Sequence, residues 1–488
     1  VIPARADIVV VGGGSAGCTL AATLVAERPG RTVVLLESGS GYTGTATAPP
    51  EILDAMRLPV GPQSVCTAEY PAILGSRSGA ISRGRVLGGS GAVNGGYFVR
   101  ARPGDFDAWP TSWSFGNVLP HFRAIESDTD FDDEWHGASG PVPVARTPWD
   151  RLHPVARAFH EAAVAAGHAP VDDLNAPGPA GVGRVPLNIS NGMRMGPALS
   201  FLVPALGSPN LTVCANAHVR GIVMAGTAAV GVEVDDGRGI ATVEAGNIVL
   251  CAGAIESPRL LMLSGLGPAD ELRRLGIEPV LDLPGVGRGF SDHPEVAVPY
   301  RYRGELPDRA PVLETVLHTD ELELRPYTAP FADSVPGSGA DIPVLGVVLT
   351  RPHSRGRLLF DARNPYAAPV VDYGYLKDPR DRAALRDGVA SAVRLLTSMR
   401  DVVDTGSIGA DAAGVDDAWL EAHLGTSQHL SGSCRMGSGD SAVVDDRCRV
   451  HGAERLFVVD TSVFPQVPSR GPHATVVMLA QRVAALMS

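Results

Sequence analysis

Asp7-Ile-Val-Val-Val-Gly-Gly-Gly-Ser-Ala-Gly-Cys18, followed by Thr32-Val-Val-Leu-Leu-Glu37, decides the fold. Ile8 to Val11 has no polar alternation, as expected of a parallel strand buried on both faces. Gly12, Gly14 and Gly17 stand at Gly-x-Gly-x-x-Gly spacing. The first allows a tight turn, the second lets backbone approach a pyrophosphate, and the third lets helix pack on strand. Ser15 to Glu27, beginning Ser15-Ala16-Gly17, predicts a helix whose N-terminal N–H groups face an anionic phosphate. Val33 to Leu36 predicts a second strand, with Glu37 placed to hold the hydroxyls of an adenosine ribose. Strand, turn, helix, strand and acid in this order predict a Rossmann-like dinucleotide site.

The rest of the chain sets bounds on function. Its 488 residues predict two domains, and 44% hydrophobic with 19% charged residues is the composition of a folded globular protein. A net charge of -12 argues against nucleic acid and anionic membranes as main partners. Lys377 is the only lysine. Six cysteines without a Cys-x-x-Cys pair, and no zinc spacing of His and Cys, predict a reduced protein with no metal site. The three glycines at the centre of the apolar start argue against a signal or membrane helix, so a cytoplasmic protein is expected, with peripheral membrane docking left open.

Ser38 to Leu74 reads as loops, and Asp105 to Glu126 as helical. Leu211 to Met224 and Ala229 to Asp235 read as antiparallel strands. Asn247 to Gly253 reads as a buried strand entering a helix with Pro258 in its first turn. From Pro294 to Ala422 the pattern changes to strands at Val344–Thr350 and Arg357–Phe360 and an amphipathic helix from Pro379. The charged, Pro/Gly-rich stretch Val312–Gly339 reads as a lid or mobile loop. The expected division is a dinucleotide-binding domain over 1–293, with excursions at about 38–75 and 105–200, an α+β substrate domain on a largely antiparallel sheet over 294–424, and a return to the first domain over 425–488.

Three long blocks resemble the glucose–methanol–choline (GMC) flavoprotein oxidoreductases: Gly84 to Asp107, Gly253 to Gly267, and His429-Leu-Ser-Gly-Ser-Cys-Arg-Met-Gly437 with Asp460-Thr-Ser-Val-Phe-Pro465 and Pro472-His-Ala-Thr-Val-Val-Met478. The resemblance implies FAD. Its ADP half would lie on Gly12, Gly14, Ser15, Ala16, Gly17, Glu37 and Ser38, with Val219 at the adenine end. Arg85, Leu87, Gly88, Gly89, Ser90, Asn94, Gly95 and Gly96 would wrap the flavin, completed by Ala252, Asp460, Thr461, Ala474 and Thr475. Some members hold FAD covalently through a histidine; Val93 stands at that position, which implies non-covalent FAD. His429 matches the family's catalytic histidine and His473 its second His/Asn partner. Their implied chemistry is proton abstraction from an alcohol while its carbon gives hydride to flavin N5. His293, in Ser291-Asp-His-Pro294, reads as structural.

Leu152-His-Pro-Val-Ala156, Val185-Pro-Leu-Asn-Ile-Ser190, Gly285 to Pro294 and Val467 to Thr475 further resemble actinobacterial dehydrogenases of the mycofactocin system. That resemblance implies re-oxidation of reduced mycofactocin and electron delivery towards respiration. The alternatives are an alcohol oxidase or dehydrogenase acting on a diffusible alcohol, a hydroxynitrile-lyase-like protein with structural FAD, and a non-catalytic flavin-binding partner protein.

Overall fold

The protein is described by a computed structural model covering residues 2–305, 307, 310–335, 339–410 and 414–487. Strand Arg5–Val11 and helix Ser15–Glu27 form as the glycine spacing predicts, and strand Val33–Leu36 lies parallel beside the first. They belong to a seven-stranded sheet in the order Leu211–Cys214, Val33–Leu36, Arg5–Val11, Ile240–Leu250, Ala228–Asp235, His218–Ala225. Strand Leu456–Val458 pairs with Ile240–Leu250 as the seventh member. The four apolar strands nearest the glycines run parallel, while 228–235 and 218–225 fold back antiparallel. This is the Rossmann-like core. Helix His473–Leu486 lies against helix Ser15–Glu27, so the end of the chain closes over its beginning.

A second, six-stranded sheet is antiparallel throughout, in the order Leu424–Thr426, Pro294–Pro299, Val344–Leu349, Leu322–Pro326, Thr315–His318, Gly181–Arg184. Helix Pro379–Ser398 packs on it with Leu385, Val389, Ala392 and Leu396 buried. A third sheet of five strands runs Arg288–Phe290, Gly356–Leu359, Val370–Asp372, Thr67–Leu74, Arg77–Gly84.

Several local readings are corrected. The 38–74 stretch is not all loop, because Thr67–Leu74 forms an eight-residue hairpin strand with Arg77–Gly84. Its Pro71 hid the alternation. Leu211–Cys214 is parallel to Val33–Leu36 rather than antiparallel to its neighbour in sequence, since Asn216 at φ 53° turns the chain before His218. Pro258 sits inside helix Gly253–Leu263, not in its first turn. Pro103 and Pro110 break the 105–126 stretch into two 3-10 turns ahead of helix Phe115–Ile125. The supposed lid contributes two inner strands of the second sheet, Thr315–His318 and Leu322–Pro326. Its charges do not mark solvent exposure; Glu314, Glu323 and Arg325 are buried. The part of that stretch at 336–338 lies outside the described residues.

Among the described residues no helix is long and apolar enough to cross a membrane. All six cysteines are free.

Candidate active site

Gly12 has φ 101°, and a Cβ there would stand 2.6 Å from the Cys251 carbonyl oxygen. A Cβ on Gly17 would stand 1.9 Å from the Gly12 oxygen, so turn and helix can meet only as glycines. Gly14, by contrast, has nothing nearer than 3.9 Å, and no side chain caps the helix that follows it. The first turn, with Ser15 and the buried Ala16, therefore offers uncapped N–H groups beside an open glycine, which suits a phosphate. Glu37 ends the second strand, where one carboxylate oxygen accepts the Gly13 N–H at 2.7 Å and the other the Gly39 N–H at 2.7 Å. Burial pushes its carboxyl upward, against these bonds. Its backbone oxygen accepts the Ala217 N–H at 2.8 Å, which sets Val219 two residues further along the rim.

The second glycine segment presses onto the first. Gly88 N–H donates to the Gly13 oxygen at 2.7 Å, and a Cβ on Gly89 would stand 2.7 Å from Gly14 Cα. Leu87 is buried, Arg85 is exposed, and Ser90 accepts the Gly84 N–H at 3.1 Å. Asn94 Oδ1 accepts the Gly96 N–H at 2.9 Å across Gly95. Val93 is buried at 3% exposure. Asp460 is also buried. Its oxygens accept from Gly253 N at 2.9 Å, Ser257 Oγ at 2.6 Å and Ser462 N at 2.8 Å. Its side chain thus ties three segments together, with Ala252 N–H donating to the same Ser257 hydroxyl. Thr461 Oγ1 donates to the Leu430 oxygen and Thr475 Oγ1 accepts the Ala101 N–H, while Ala474 is fully buried at the helix start.

The histidines come from two strand ends. Strand Pro294–Pro299 pairs with Leu424–Thr426, Pro294 facing Thr426. Pairing resumes at Ser291 and Ser431. Four residues, 427 to 430, thus lie opposite two, 292 and 293, forming a bulge with Gln428 at φ 60°. One oxygen of Asp292 fills it, accepting the His429 N–H at 2.7 Å and the His293 N–H at 2.6 Å. Burial pushes the Asp292 carboxyl up to about 6, opposed by Arg83 and these N–H groups. The result places His293 Nδ1 2.9 Å from His429 Nδ1, with the two rings edge to face at 85°.

Burial, then His293 and Arg325, hold His429 well below the ordinary histidine value. Burial and Arg325 bring His293 down to about 3, and burial brings His473 to about 4. All three rings are therefore neutral at pH 7. His473 lies beside the glycine cradle, with Nδ1 3.3 Å from Ser15 Oγ, while its Nε2 is buried without a hydrogen-bond partner. A Cβ on Gly91 would stand 2.8 Å from its Cε1. The orphaned Nε2, the uncapped helix and the glycine-only approach fit a bound flavin nucleotide.

Buried charges surround the histidines. Arg325 bonds Glu323, Glu295 at 3.2 Å and Ser427 at 3.0 Å. Tyr97 donates to Glu323 at 2.9 Å and Tyr327 to Glu295 at 2.7 Å. A Cβ on Gly471 would stand 3.0 Å from the Tyr97 ring and 3.6 Å from His429 Cε1, which joins this cluster to His429. Sequence reading missed Asp292, Arg325 and Glu323, and read His293 as structural. The usable signals were an aspartate beside that histidine and the strict alternation of Leu322-Glu-Leu-Arg. Further off, Glu126, Asp128 and His136 bring their ligand atoms within 4.8 Å of one another. Arg100 pairs with one oxygen of Glu126, and Arg146 with Asp128 at 2.9 Å, so arginines already compensate both carboxylates.

Two family models, each for the GMC oxidoreductases, match residues 6–295 and 352–480. The chain belongs to the GMC oxidoreductase family. It is 48% identical over 487 residues, 99% of this chain and 98% of the other, to an uncharacterised GMC-type oxidoreductase of Rhodococcus erythropolis. It is 31% identical to an oxygen-dependent choline dehydrogenase of Brucella anthropi, covering 98% and 95% of the two chains. Among solved structures, pyridoxine 4-oxidase from Mesorbium loti superposes with a TM-score of 0.89 at 30% identity, covering 99% of both chains. Formate oxidase of 23% identity shares the fold with a TM-score of 0.88. This GMC protein is accordingly an oxidoreductase of an FAD-dependent family, and relatives named for alcohol-type substrates stand on both sides of it.

Proposed function

We propose that the chain binds FAD non-covalently and oxidises an alcohol, with His429 as general base and His473 as its partner. Bound FAD would supply the hydride acceptor. The observation that carries this reading is His429, a neutral imidazole whose backbone Asp292 holds at a strand bulge and whose ring edge, with that of Tyr97, lies beside Gly471. A neutral ring accepts the hydroxyl proton, and the proton then resides on His429 while the carbon releases hydride. The orphaned Nε2 of His473 is available to bind the same oxygen. The buried Val93 offers no nucleophile, which supports a dissociable cofactor. Glu37, Ser38 and Val219 would hold the adenosine end. Backbone around Gly12–Gly17 and Thr461 would hold the pyrophosphate, and residues 87 to 96 the ring.

For the donor, we propose reduced mycofactocin, a carrier alcohol, supported by the 152–156, 185–190, 285–294 and 467–475 phrases. An anaerobic visible spectrum before and after adding the donor tests both levels. Bleaching of the flavin band by reduced mycofactocin is expected, and His429→Ala should keep the flavin while slowing bleaching by about 10²–10⁴-fold. Bleaching only by choline, pyridoxine or benzyl alcohol would replace the donor by a diffusible alcohol. Turnover with the flavin oxidised throughout would overturn the redox reading in favour of a lyase.

A further inference from the structure

We infer that His293 is a positioning residue that fixes the tautomer of His429, so that the base presents a lone pair at Nε2. The inference rests on His429 being the base and concerns which of its nitrogens acts.

The two Nδ1 atoms are 2.9 Å apart. Two lone pairs cannot meet at that distance, and two N–H groups would clash, so one Nδ1 carries hydrogen and the other accepts. The role proposed for His429 chooses between them. Its Nδ1 is taken up by the fully enclosed His293, so only Nε2 can meet a substrate hydroxyl. A neutral base with its lone pair on Nε2 carries its hydrogen on Nδ1. His293 Nδ1 is then the acceptor, and His429 Nδ1–H the donor.

That assignment leaves the lone pair of His429 on Nε2, at the far side of the ring from His293. When the alcohol hydroxyl gives up its proton, the new N–H forms at Nε2 and the carbon–oxygen bond becomes a carbonyl; bound flavin would supply the acceptor for the hydride. The Nδ1–H of the resulting imidazolium still donates to His293, which remains neutral, so no rearrangement accompanies the step. Asp292 holds the backbones of both histidines through one carboxylate oxygen, which keeps the two rings in register. The division of labour is the one that a tautomer-fixing acid performs for a catalytic histidine in hydrolases.

Two measurements on the FAD-loaded protein test this. Nitrogen NMR of ¹⁵N-histidine-labelled holoenzyme, with His429 assigned by loss of its signals in His429→Ala, should show a protonated Nδ1 and a bare Nε2. In His293→Leu the same ring should lose that preference. An Nε2–H tautomer in the wild type overturns the inference whether or not any alcohol is oxidised. In kinetics, with reduced mycofactocin, choline, pyridoxine and benzyl alcohol as probes, His293→Leu should lower the flavin reduction rate by about 10²-fold with KM unchanged. His293→Asn, whose side-chain oxygen can stand where Nδ1 stands, should recover most of that rate. Equal rates in the Leu and Asn variants, at equal FAD content and melting temperature, would mean that His293 only fills space. If no probe reduces the wild-type flavin, the proposed reaction fails while the NMR result still decides the tautomer.

Discussion

The nucleotide side and the substrate side of this molecule are built from different material. Around the glycine turn, the parallel strands Arg5–Val11, Val33–Leu36 and the inner half of Ile240–Leu250 are almost wholly apolar, and buried carboxylates are few: Glu37 and Asp460. Both are satisfied mainly by backbone N–H groups, Gly13 and Gly39 for Glu37 and Gly253 and Ser462 for Asp460, with the Ser257 hydroxyl added. Around the second sheet, charges are buried in numbers: Asp292, Glu314, Glu323 and Arg325, with Arg100, Glu126, Asp128, His136 and Arg146 nearby. Many of these charges are met by other charged side chains: Arg325 by Glu323 and Glu295, Arg100 by Glu126, and Arg146 by Asp128. Close backbone approach rests on shape and needs few charges, whereas buried charges persist only in pairs.

The sharpest way to break the nucleotide side is steric. Gly17→Ala puts a methyl 1.9 Å from the Gly12 oxygen, which neither turn nor helix can concede without opening. The variant should be purified without FAD, or fail to fold. A Gly17→Ala protein carrying stoichiometric flavin would show that the cradle has slack the geometry denies.

On the substrate side the largest effect should come from Asp292→Ala. It deletes one acceptor that serves two backbone N–H groups at the bulge, and hydrogen bonds to charged groups contribute about 1.5–3 kcal/mol each. Chemical denaturation of the holoenzyme should show a loss of about 3 kcal/mol, and flavin reduction should slow because His293 and His429 lose register. Asp292→Asn, which keeps an acceptor oxygen, should lose less of both. Unchanged stability in the alanine variant would mean that the strand pairing of Ser291 with Ser431 already fixes the histidines.

The same contrast explains what the sequence discloses. Gly12, Gly14, Gly17 and Glu37 fall within one βαβ unit, where spacing alone constrains geometry, so helix Ser15–Glu27 and strand Val33–Leu36 are readable to the residue. His429 and His473 stand out as candidates only through the motif blocks that resemble the family. The His293–His429 contact spans 136 residues and arises from the register of Pro294 with Thr426, which nothing local encodes. Leu322-Glu-Leu-Arg falls in the stretch that reads as a lid or mobile loop, because charge normally signals water. Here Glu323 and Arg325 turn inward to meet each other, Tyr97 and Glu295. Sequence patterning assumes that polarity faces out, and it fails where buried charges pair with one another.

His136 allows that last point to be measured at the smallest scale. Burial alone would depress its imidazolium, but the carboxylates of Asp128, Asp173 and Glu126 outweigh burial and push it up to about 11. An unfolded histidine releases its proton near pH 6.5. The folded state therefore holds one proton more than the unfolded state between those values. The stability His136 contributes is complete below about pH 6.5 and is lost as pH rises through about 11, at a slope of about 1.4 kcal/mol per pH unit for one proton. Replacing it by His136→Gln should flatten the alkaline fall in unfolding free energy relative to wild type, over that window and not below it. Parallel curves for the two proteins would mean that the ring is neutral in the fold, and that Arg100 and Arg146 alone balance the three carboxylates.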